Sequence, residues 1–382
     1  MRYLYFIISI ITLCFCSQTM GQEDAQQDVE QPQLLEELHE EPQQPDYVSL
    51  LFAGDMMQHD AQIEAAYDSI TGSYDYTDYF TYLAPMSAAA DIAVCNFEVT
   101  LGGKPYKGFP TFSAPDEYLD AIIDAGFDVF LTANNHCLDK GKTGLERTIK
   151  QMSDKGVTQL GTYLDDADRA QRYPVVLECR GLKIGFLNYT YGTNGLKTTK
   201  PNVVNYIDEA AIAADVKKCR EMGADYIIAN MHWGEENTHV QNADQKKWAK
   251  MLVAKGVDHI IGHHPHMVQP AEIITDADTC KHFVIYSIGN MISNMQKPDN
   301  AGGIIVGLNL PIVKDMKAEP DVWYTQFHVS WPYESGLKNY NAYTPAVPDS
   351  ILPEIEIEKR NAFYKSTRDV MSKGAYIEEI IQ

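Results

Sequence analysis

The chain has 382 residues, with 53 acidic and 31 basic side chains and a net charge of −22. That length suffices for one large α/β domain or two modest ones, each with a full core. The acidic balance argues against nucleic acid as a partner, because neutralising phosphates requires a basic face.

Residues 1–21 read as a signal peptide. Met1-Arg2 is a short basic start, residues 5–15 are apolar, and Ser17, Gln18, Thr19 and Gly21 come next. The apolar run is shorter than a membrane span and has the length of a signal core. The expectation is export to the periplasm or cell envelope. Left uncleaved, the same segment would be a membrane anchor. A lipoprotein anchor on Cys16 is the other alternative, although Phe15 is bulky where a lipidation site usually has a small residue. Residues 22–47 are rich in Glu, Gln, Asp and Pro and contain no Lys or Arg. Such a segment buries too little apolar surface to offset the entropy of ordering, so it reads as a disordered tether.

From Val48 onward short β-branched runs alternate with helical patterns. Residues 48–53, 92–95, 129–132, 184–187, 226–229, 259–261 and 283–286 are predicted strands, and 115–125, 143–154, 208–222 and 244–254 are predicted helices. This alternation argues for α/β layers around buried sheets. Residues 174–189 predict a hairpin turning at Arg180-Gly181. Residues 303–312 and 323–333 are further strand candidates, and the tail from Pro353 is helical. The two parts are 48–296 and 297–382. Five cysteines lie beyond the signal: Cys95, Cys137, Cys179, Cys219 and Cys280. With an odd number and no CxxC spacing they predict buried thiols, not a disulfide framework or thiolate zinc site.

The chemistry lies in the residues just past the strands. Asp55 stands after the first, Asn96 and Glu98 after the second, and Asn134-Asn135-His136, Asp139 and Gly141 after the third. Then come His232-Trp233-Gly234 with Glu236, Gly262-His263-His264-Pro265-His266, and Ser287 with Gly289-Asn290. Sites in open α/β sheets form outside the carboxyl ends of strands. Asp, Glu, Asn and His are ligands for zinc, manganese, iron or magnesium. Two such ions clamp the attacking and leaving oxygens of a hydrolytic displacement. Each motif alone has a plainer reading. Asp55 could cap a turn, 134–136 could be turn residues, and His232-Trp233 a core pair. Three histidines at one strand end are seldom structural. His39, His239, His282 and His328 are expected to have no site role.

The ordered set GD, NxE, NNHxxDxG, HWGxE, GHHPHxxQ and SxGN resembles the capsule-synthesis CapA family, also called poly-γ-glutamate synthesis proteins. That family is similar in turn to the calcineurin-like metallophosphatases. The match spans about residues 48–296. The resemblance implies an α/β four-layer α-β-β-α sandwich of metallophosphatase type, two packed mixed sheets with helices outside. Residues 297–382 would complete the same sandwich.

Carried over by motif, Asp55, Glu98 (bridging), Asn135, His232, His264 and His266 would hold two divalent metal ions, with His263 an alternative to His264. His136 would be the general acid beside Asp139. Asn96, Asn134, Trp233, Glu236 and Asn290 would line the substrate side. Metallophosphatases usually open with Asp-x-His. Here Met56 and Met57 come after Asp55, which leaves His59 as the nearest substitute. Lys140 stands where the family often has an aromatic residue.

The leading expectation is a cell-envelope metallohydrolase using a two-metal hydroxide attack, with His136 protonating the leaving group. It would act in capsule or poly-γ-glutamate-like polymer biosynthesis, on an anionic or peptide-like surface polymer or its precursor. Lys107, Lys197 and Lys200 are candidate contacts for an anionic substrate. The alternative is a non-catalytic, metal-binding accessory subunit of a membrane-bound polymer-synthesis complex.

Overall fold

The computed structural model describes residues 46–332 and 339–381. The signal (1–21) and the acidic segment up to residue 45 lie outside the described residues. The principal strands, in chain order, are β1 (Tyr47–Met56), β2 (Ile92–Phe97), β3 (Val129–Leu131), β4 (Thr158–Leu160), β5 (Val175–Cys179), β6 (Leu182–Thr190) and β7 (Tyr226–His232). They continue with β8 (His259–His263), β9 (Val268–Thr275), β10 (Lys281–Ile288), β11 (Asn290–Ile292), β12 (Gly302–Pro311), β13 (Asp321–Ser330) and β14 (Asn341–Tyr343). The principal helices are α1 (Asp60–Ala66), α2 (Asp116–Asp124), α3 (Gly141–Asp154), α4 (Glu209–Glu221), α5 (Ala243–Lys255) and α6 (Glu354–Met371).

Two mixed sheets result. One has the order β14-β13-β12-β1-β2-β3-β4, with β11 also paired to β1, and the other β9-β10-β8-β7-β6-β5. Neighbours β1 to β4 run parallel, as do β6, β7, β8 and β10. Strand alternation then sorts the side chains into layers. Val48, Leu50 and Phe52 of β1 join Ile92 and Val94 in the cluster that also holds Phe186, Ile228 and Ile260 of the second sheet. Their neighbours Leu51 and Ala53 pack on the other face, with Tyr118, Leu119 and Ile122 of α2. Ile212 and Val216 of α4 and Leu252 and Val253 of α5 cover the second sheet. The result is the α-β-β-α sandwich. β12 pairs antiparallel with β1 along six registered positions, so the chain beyond Gly302 is built into the first sheet.

The hairpin turns at Arg180-Gly181, where both residues have positive φ (49° and 80°). This is the backbone that two-residue hairpin loops require. The five cysteines are free thiols, with Cys95, Cys137 and Cys219 buried. The strands run further than hydropathy predicts: β1 to Met56, β2 to Phe97, β7 to His232 and β8 to His263. Apolar runs end where the polar residues begin, but the hydrogen-bond ladder does not. Asp55 registers with Asn96 and Asn290, and His232 with Thr190 and His263.

Two glycines permit this convergence. A Cβ on Gly54 would lie 1.9 Å from the Gly289 carbonyl oxygen, and one on Gly262 would lie 2.0 Å from the Tyr286 carbonyl oxygen. A side chain at either would push apart the strands that aim the site residues.

Two histidines away from the strand-end cluster tie stability to pH. His259 accepts the Phe283 N–H at 3.1 Å, and burial holds its pKa down to about 4. Burial, with Lys359 and Arg360 nearby, holds His328 down to about 3. Both are neutral when folded and titrate near 6.5 when unfolded, so the unfolded chain binds more protons below that pH. Their contribution is present above pH 6.5 and is lost as pH falls, towards about 4 for His259 and about 3 for His328. At pH 5 each costs about 2 kcal/mol relative to pH 7. Urea unfolding with a chelator present, so that metal loss does not contribute, should show a lower midpoint at pH 5. An unchanged midpoint would show that these histidines do not govern acid stability.

Candidate metal centre

Parallel pairing brings the carboxyl ends of β1, β2, β7 and β8 to one edge, and the polar residues converge there. Asp55, Asn96, Glu98, His232, His263, His264 and His266 are all 2 % exposed or less. Asn96 Nδ2 donates to Asp55 Oδ1 at 2.7 Å, and lies 3.3 Å from both Glu98 Oε2 and His232 Nδ1. His266 Nδ1 lies 3.1 Å from Asp55 Oδ2 and 2.9 Å from Asn290 Oδ1. These contacts aim its Nε2 towards Glu98 Oε1, 3.9 Å away. His232 Nε2 is 3.7 Å from that same oxygen. Ligand atoms of Glu98, His264 and His266 lie within 4.8 Å of one another, as do those of Asp55, Glu98 and His232. Glu98 is common to both groups.

The electrostatics are those of crowded, desolvated ligands. Burial drives the Glu98 pKa well above the usual carboxylate range, and the adjacent Asp55 adds to it. Burial also opposes ionisation of Asp55, but His266, His263 and Asn96 outweigh it and hold its pKa low. For His266 burial is outweighed by Asp55, and its pKa is raised. Burial takes His263 down to about 4 and His264 to about 3, and His232 well below the imidazole range. Glu98 Oε1, His264 Nδ1 and both ring nitrogens of His263 are buried without a hydrogen-bond partner among the described residues. Buried polar atoms are rarely left so unless something else satisfies them. Mixed carboxylate and imidazole donors in this state fit divalent metal ions.

The loop that carries the histidines is strained. His264 and His266 have φ of 99° and 58°. Each left-handed non-glycine residue costs on the order of 1–3 kcal/mol, and such residues cluster at functional sites. The Asn237 N–H donates to the Pro265 carbonyl at 2.8 Å, and the His264 N–H to Asp55 Oδ2 at 3.3 Å, which hold the turn.

Beside the cluster, His136 Nδ1 meets Asp139 Oδ2 at 2.7 Å, and the Phe112 N–H donates to the same oxygen at 2.7 Å. Phe112 also sets its ring edge-on to His136, 4.6 Å between centroids. Asn135 Oδ1 faces His232 Nε2 at 2.8 Å. Asn134 is spent on backbone: its Nδ2 donates to the Phe97 carbonyl, and its Oδ1 accepts the His136 N–H. Trp233 sits in the core, donating to the Tyr286 carbonyl at 2.9 Å. Glu236 is exposed, within electrostatic reach of Glu98 and His266.

His59 does not join either ligand group. Its Nδ1 lies 3.1 Å from Gln62 Oε1 and 3.2 Å from the Asn294 backbone nitrogen, and its ring packs against Phe112. Met57, at the place of the missing Asp-x-His histidine, is buried in the apolar cluster behind β1. Lys107 pairs with Asp60 at 3.0 Å, and Lys197 and Lys200 are exposed. Sequence patterns miss two residues. Tyr191 is half-exposed with its ring 4.5 Å from that of His264, and Asn194 accepts from Asn135 Nδ2 at 3.2 Å. Both lie just past β6, in a stretch that carries no acid or histidine to mark it as a ligand-bearing strand end.

A two-sheet α-β-β-α sandwich with acid, amide and imidazole side chains converging at its strand ends defines the metallophosphatase type of fold. The chain belongs to the bacterial capsule synthesis protein PGA_cap family, whose model matches residues 49–295. It is 27% identical over 256 residues to the PGA biosynthesis protein CapA of Bacillus subtilis (strain 168), covering 65% of this chain and 63% of that protein. It is 29% identical over 233 residues to the capsule biosynthesis protein CapA of Bacillus anthracis, covering 56% and 54%. The chain thus spans less than two thirds of the length of either relative. Among solved structures, Haemophilus influenzae NAD nucleotidase (NadN) superposes with a TM-score of 0.49 at 11% identity, over 88% of this chain and 64% of that one. A likeness at that level carries no functional weight.

Proposed function

We propose that the protein is an exported, metal-dependent hydrolase of the cell envelope. It acts in synthesis of a capsule or poly-γ-glutamate-like polymer, on the anionic or peptide-like polymer or a phosphorylated precursor. The observation that carries this reading is a set of buried, unpartnered ligand atoms around Glu98 beside a His136–Asp139 pair. The family membership supports the polymer context, and the apolar run at residues 5–15 supports export.

Divalent metal ions held there, two by this reading, supply Lewis acidity and lower the pKa of water. Asp55, Glu98, His232, His264 and His266 hold them, and Asn135 offers Oδ1 beside His232. Asn96 and Asn290 orient these ligands through hydrogen bonds, the usual task of residues behind a metal site. Asp139 accepts from Nδ1–H of His136, so Nε2 is the atom left to give a proton to the leaving group. Tyr191 stands at the mouth, where a substrate meets its exposed edge.

Met57 in the apolar layer and His59 bonded to Asn294 favour a second reading, in which one ion is weakly held and the protein is a non-catalytic accessory subunit of a polymer-synthesis complex. The two readings separate on turnover. Manganese- or zinc-loaded protein is offered bis(p-nitrophenyl) phosphate, p-nitrophenyl phosphate and γ-glutamyl p-nitroanilide. Metal-dependent release of nitrophenol or nitroaniline supports the hydrolase, and none from any of the three leaves the accessory reading. On a substrate that is turned over, Tyr191→Ala should raise KM about tenfold with metal content unchanged, as for loss of uniform binding. An unaltered KM would remove Tyr191 from the substrate path.

A further inference from the structure

The family match ends at residue 295, but the hydrogen bonds that hold the metal centre continue past it. A short 3₁₀ turn, Pro298–Asn300, stands just before β12. It is anchored in the C-terminal part of the chain. Ser366 Oγ of α6 donates to Asp299 Oδ1 at 2.6 Å, and the Val329 N–H of β13 donates to the Ala301 carbonyl at 2.7 Å. Asn300, at the end of the turn, is buried.

Asn300 reaches the loop that carries His264 and His266 by two arms. Its carbonyl accepts from Asn290 Nδ2 at 2.9 Å, and Asn290 Oδ1 faces His266 Nδ1 at 2.9 Å. Its Nδ2 donates to Asn237 Oδ1 at 3.0 Å, and the Asn237 N–H donates to the Pro265 carbonyl, between the two histidines, at 2.8 Å. His264, His266 and Asn237 have φ of 99°, 58° and 60°. Such backbone persists only where its surroundings over-determine it. Pro265 has no N–H with which to hold the turn itself. Asn237 is exposed, so the buried Asn300 amide is what fixes its side chain. Asn300 Oδ1 has no hydrogen-bond partner among the described residues, which leaves the bond to Asn237 as the side chain's tie.

We propose that Asn300 is a positioning residue of the metal centre: it fixes the 264–266 turn, and so sets where His264 and His266 present their ligand atoms. This role rests on the metal-centre reading and goes beyond it, because it places part of the support for the ligands in the chain past the family match. Groups behind the ligands fix ring orientation, and their loss weakens metal binding by about 10- to 100-fold. Removing the Asn300 side chain leaves its carbonyl on Asn290, so the Asn237 arm alone is cut and the lower end of that range applies.

Calorimetric titration of the full chain with manganese, beside the visible spectrum of the cobalt-loaded chain, tests this. Asn300→Ala should weaken manganese about tenfold and shift the cobalt bands, which report ligand geometry. Asn237→Gly keeps the left-handed backbone and its N–H but loses the acceptor, and should do the same. Asn237→Asp keeps the acceptor on a residue that tolerates positive φ, and should keep the native spectrum. Asn300→Ala and Asn237→Gly break the same bond, so the double variant should bind no more weakly than either single variant. A merely structural Asn300 would lower the melting point in chelator and leave the cobalt spectrum native. The proposal is overturned if either single variant keeps native affinity and spectrum, or if their effects multiply in the double variant. A native chain that takes up neither ion sinks the metal-centre reading itself, and this role with it. Should Asn300→Ala fail to fold, Asn237→Gly against Asn237→Asp carries the test from the exposed end of the bond.

Discussion

The double variant His264→Ala/His266→Ala is expected to purify with less than about a tenth of the divalent metal that the native chain retains, a loss on the scale of removing more than one ligand interaction. The reason lies in how the site is shared. Glu98 stands in both ligand groups, and two of the three members of one group are these histidines. Without them Glu98 keeps, among the described residues, only Asp55 and His232 as close ligating neighbours. Glu98 is then a buried acid beside a buried carboxylate, the arrangement that already raises its pKa. Metal must displace that proton, so loss of the imidazoles and a fall in pH act in the same direction. Elemental analysis of native and variant protein, after equal exposure to manganese or zinc, makes the measurement. His282→Ala, away from the cluster, is the matched control. A native chain that takes up no metal under these conditions sinks both the hydrolase and the metal-binding accessory readings.

Stability should track the same change. A ligand present at about a hundred times its dissociation constant stabilises the folded chain by about 2.7 kcal/mol. Native protein should therefore melt several degrees lower after chelation, and the double variant should melt alike with and without chelator. A chelator-sensitive melting point in the double variant would place the metal elsewhere.

The second large effect is on chemistry. His136→Ala is expected to lower turnover by about 10²- to 10⁴-fold, the usual contribution of a positioned proton donor, with metal content unchanged. The side chain is locked on three sides: Asp139 at Nδ1, the Phe112 ring edge-on against it, and the backbone N–H bonded to Asn134. Such fixation serves a group that must deliver a proton at one atom in one direction. Asp139→Asn separates positioning from packing. The amide is nearly isosteric with the carboxylate, but it need not hold the proton on Nδ1, and it should reduce turnover by a smaller factor. If His136→Ala turns over substrate at the native rate, His136 is not the proton donor.

Much of the site was legible because parallel α/β sheets gather strand carboxyl ends at one edge. Asp55, Glu98, His232 and the 263–266 run each come after a short apolar run, and their residue types suggest metal chemistry without coordinates. Other members were ambiguous for a physical reason. Asn134 and Asn135 are adjacent amides of identical chemistry. Only the turn geometry spends Asn134 on the Phe97 carbonyl and the His136 N–H, leaving Asn135 facing His232. His59 is near Asp55 in sequence, but the chain enters α1 there, and its Nδ1 sits between Gln62 Oε1 at 3.1 Å and the Asn294 backbone nitrogen at 3.2 Å. Trp233 adjoins His232, yet alternation along a strand sends neighbouring side chains to opposite faces, and its indole joins the core.

By itself the sequence determined the alternating layers, the hairpin at Arg180-Gly181 and the acid, amide and imidazole residues at the strand ends, because hydropathy period and turn chemistry act over a few residues. The tertiary structure alone decided that Glu98 belongs to both candidate ligand groups, that His264 and His266 take left-handed backbone, and that Tyr191 and Asn194 stand against His264 and Asn135. Those features depend on register between distant strands and on close approaches such as Gly54 to Gly289, which no local pattern encodes.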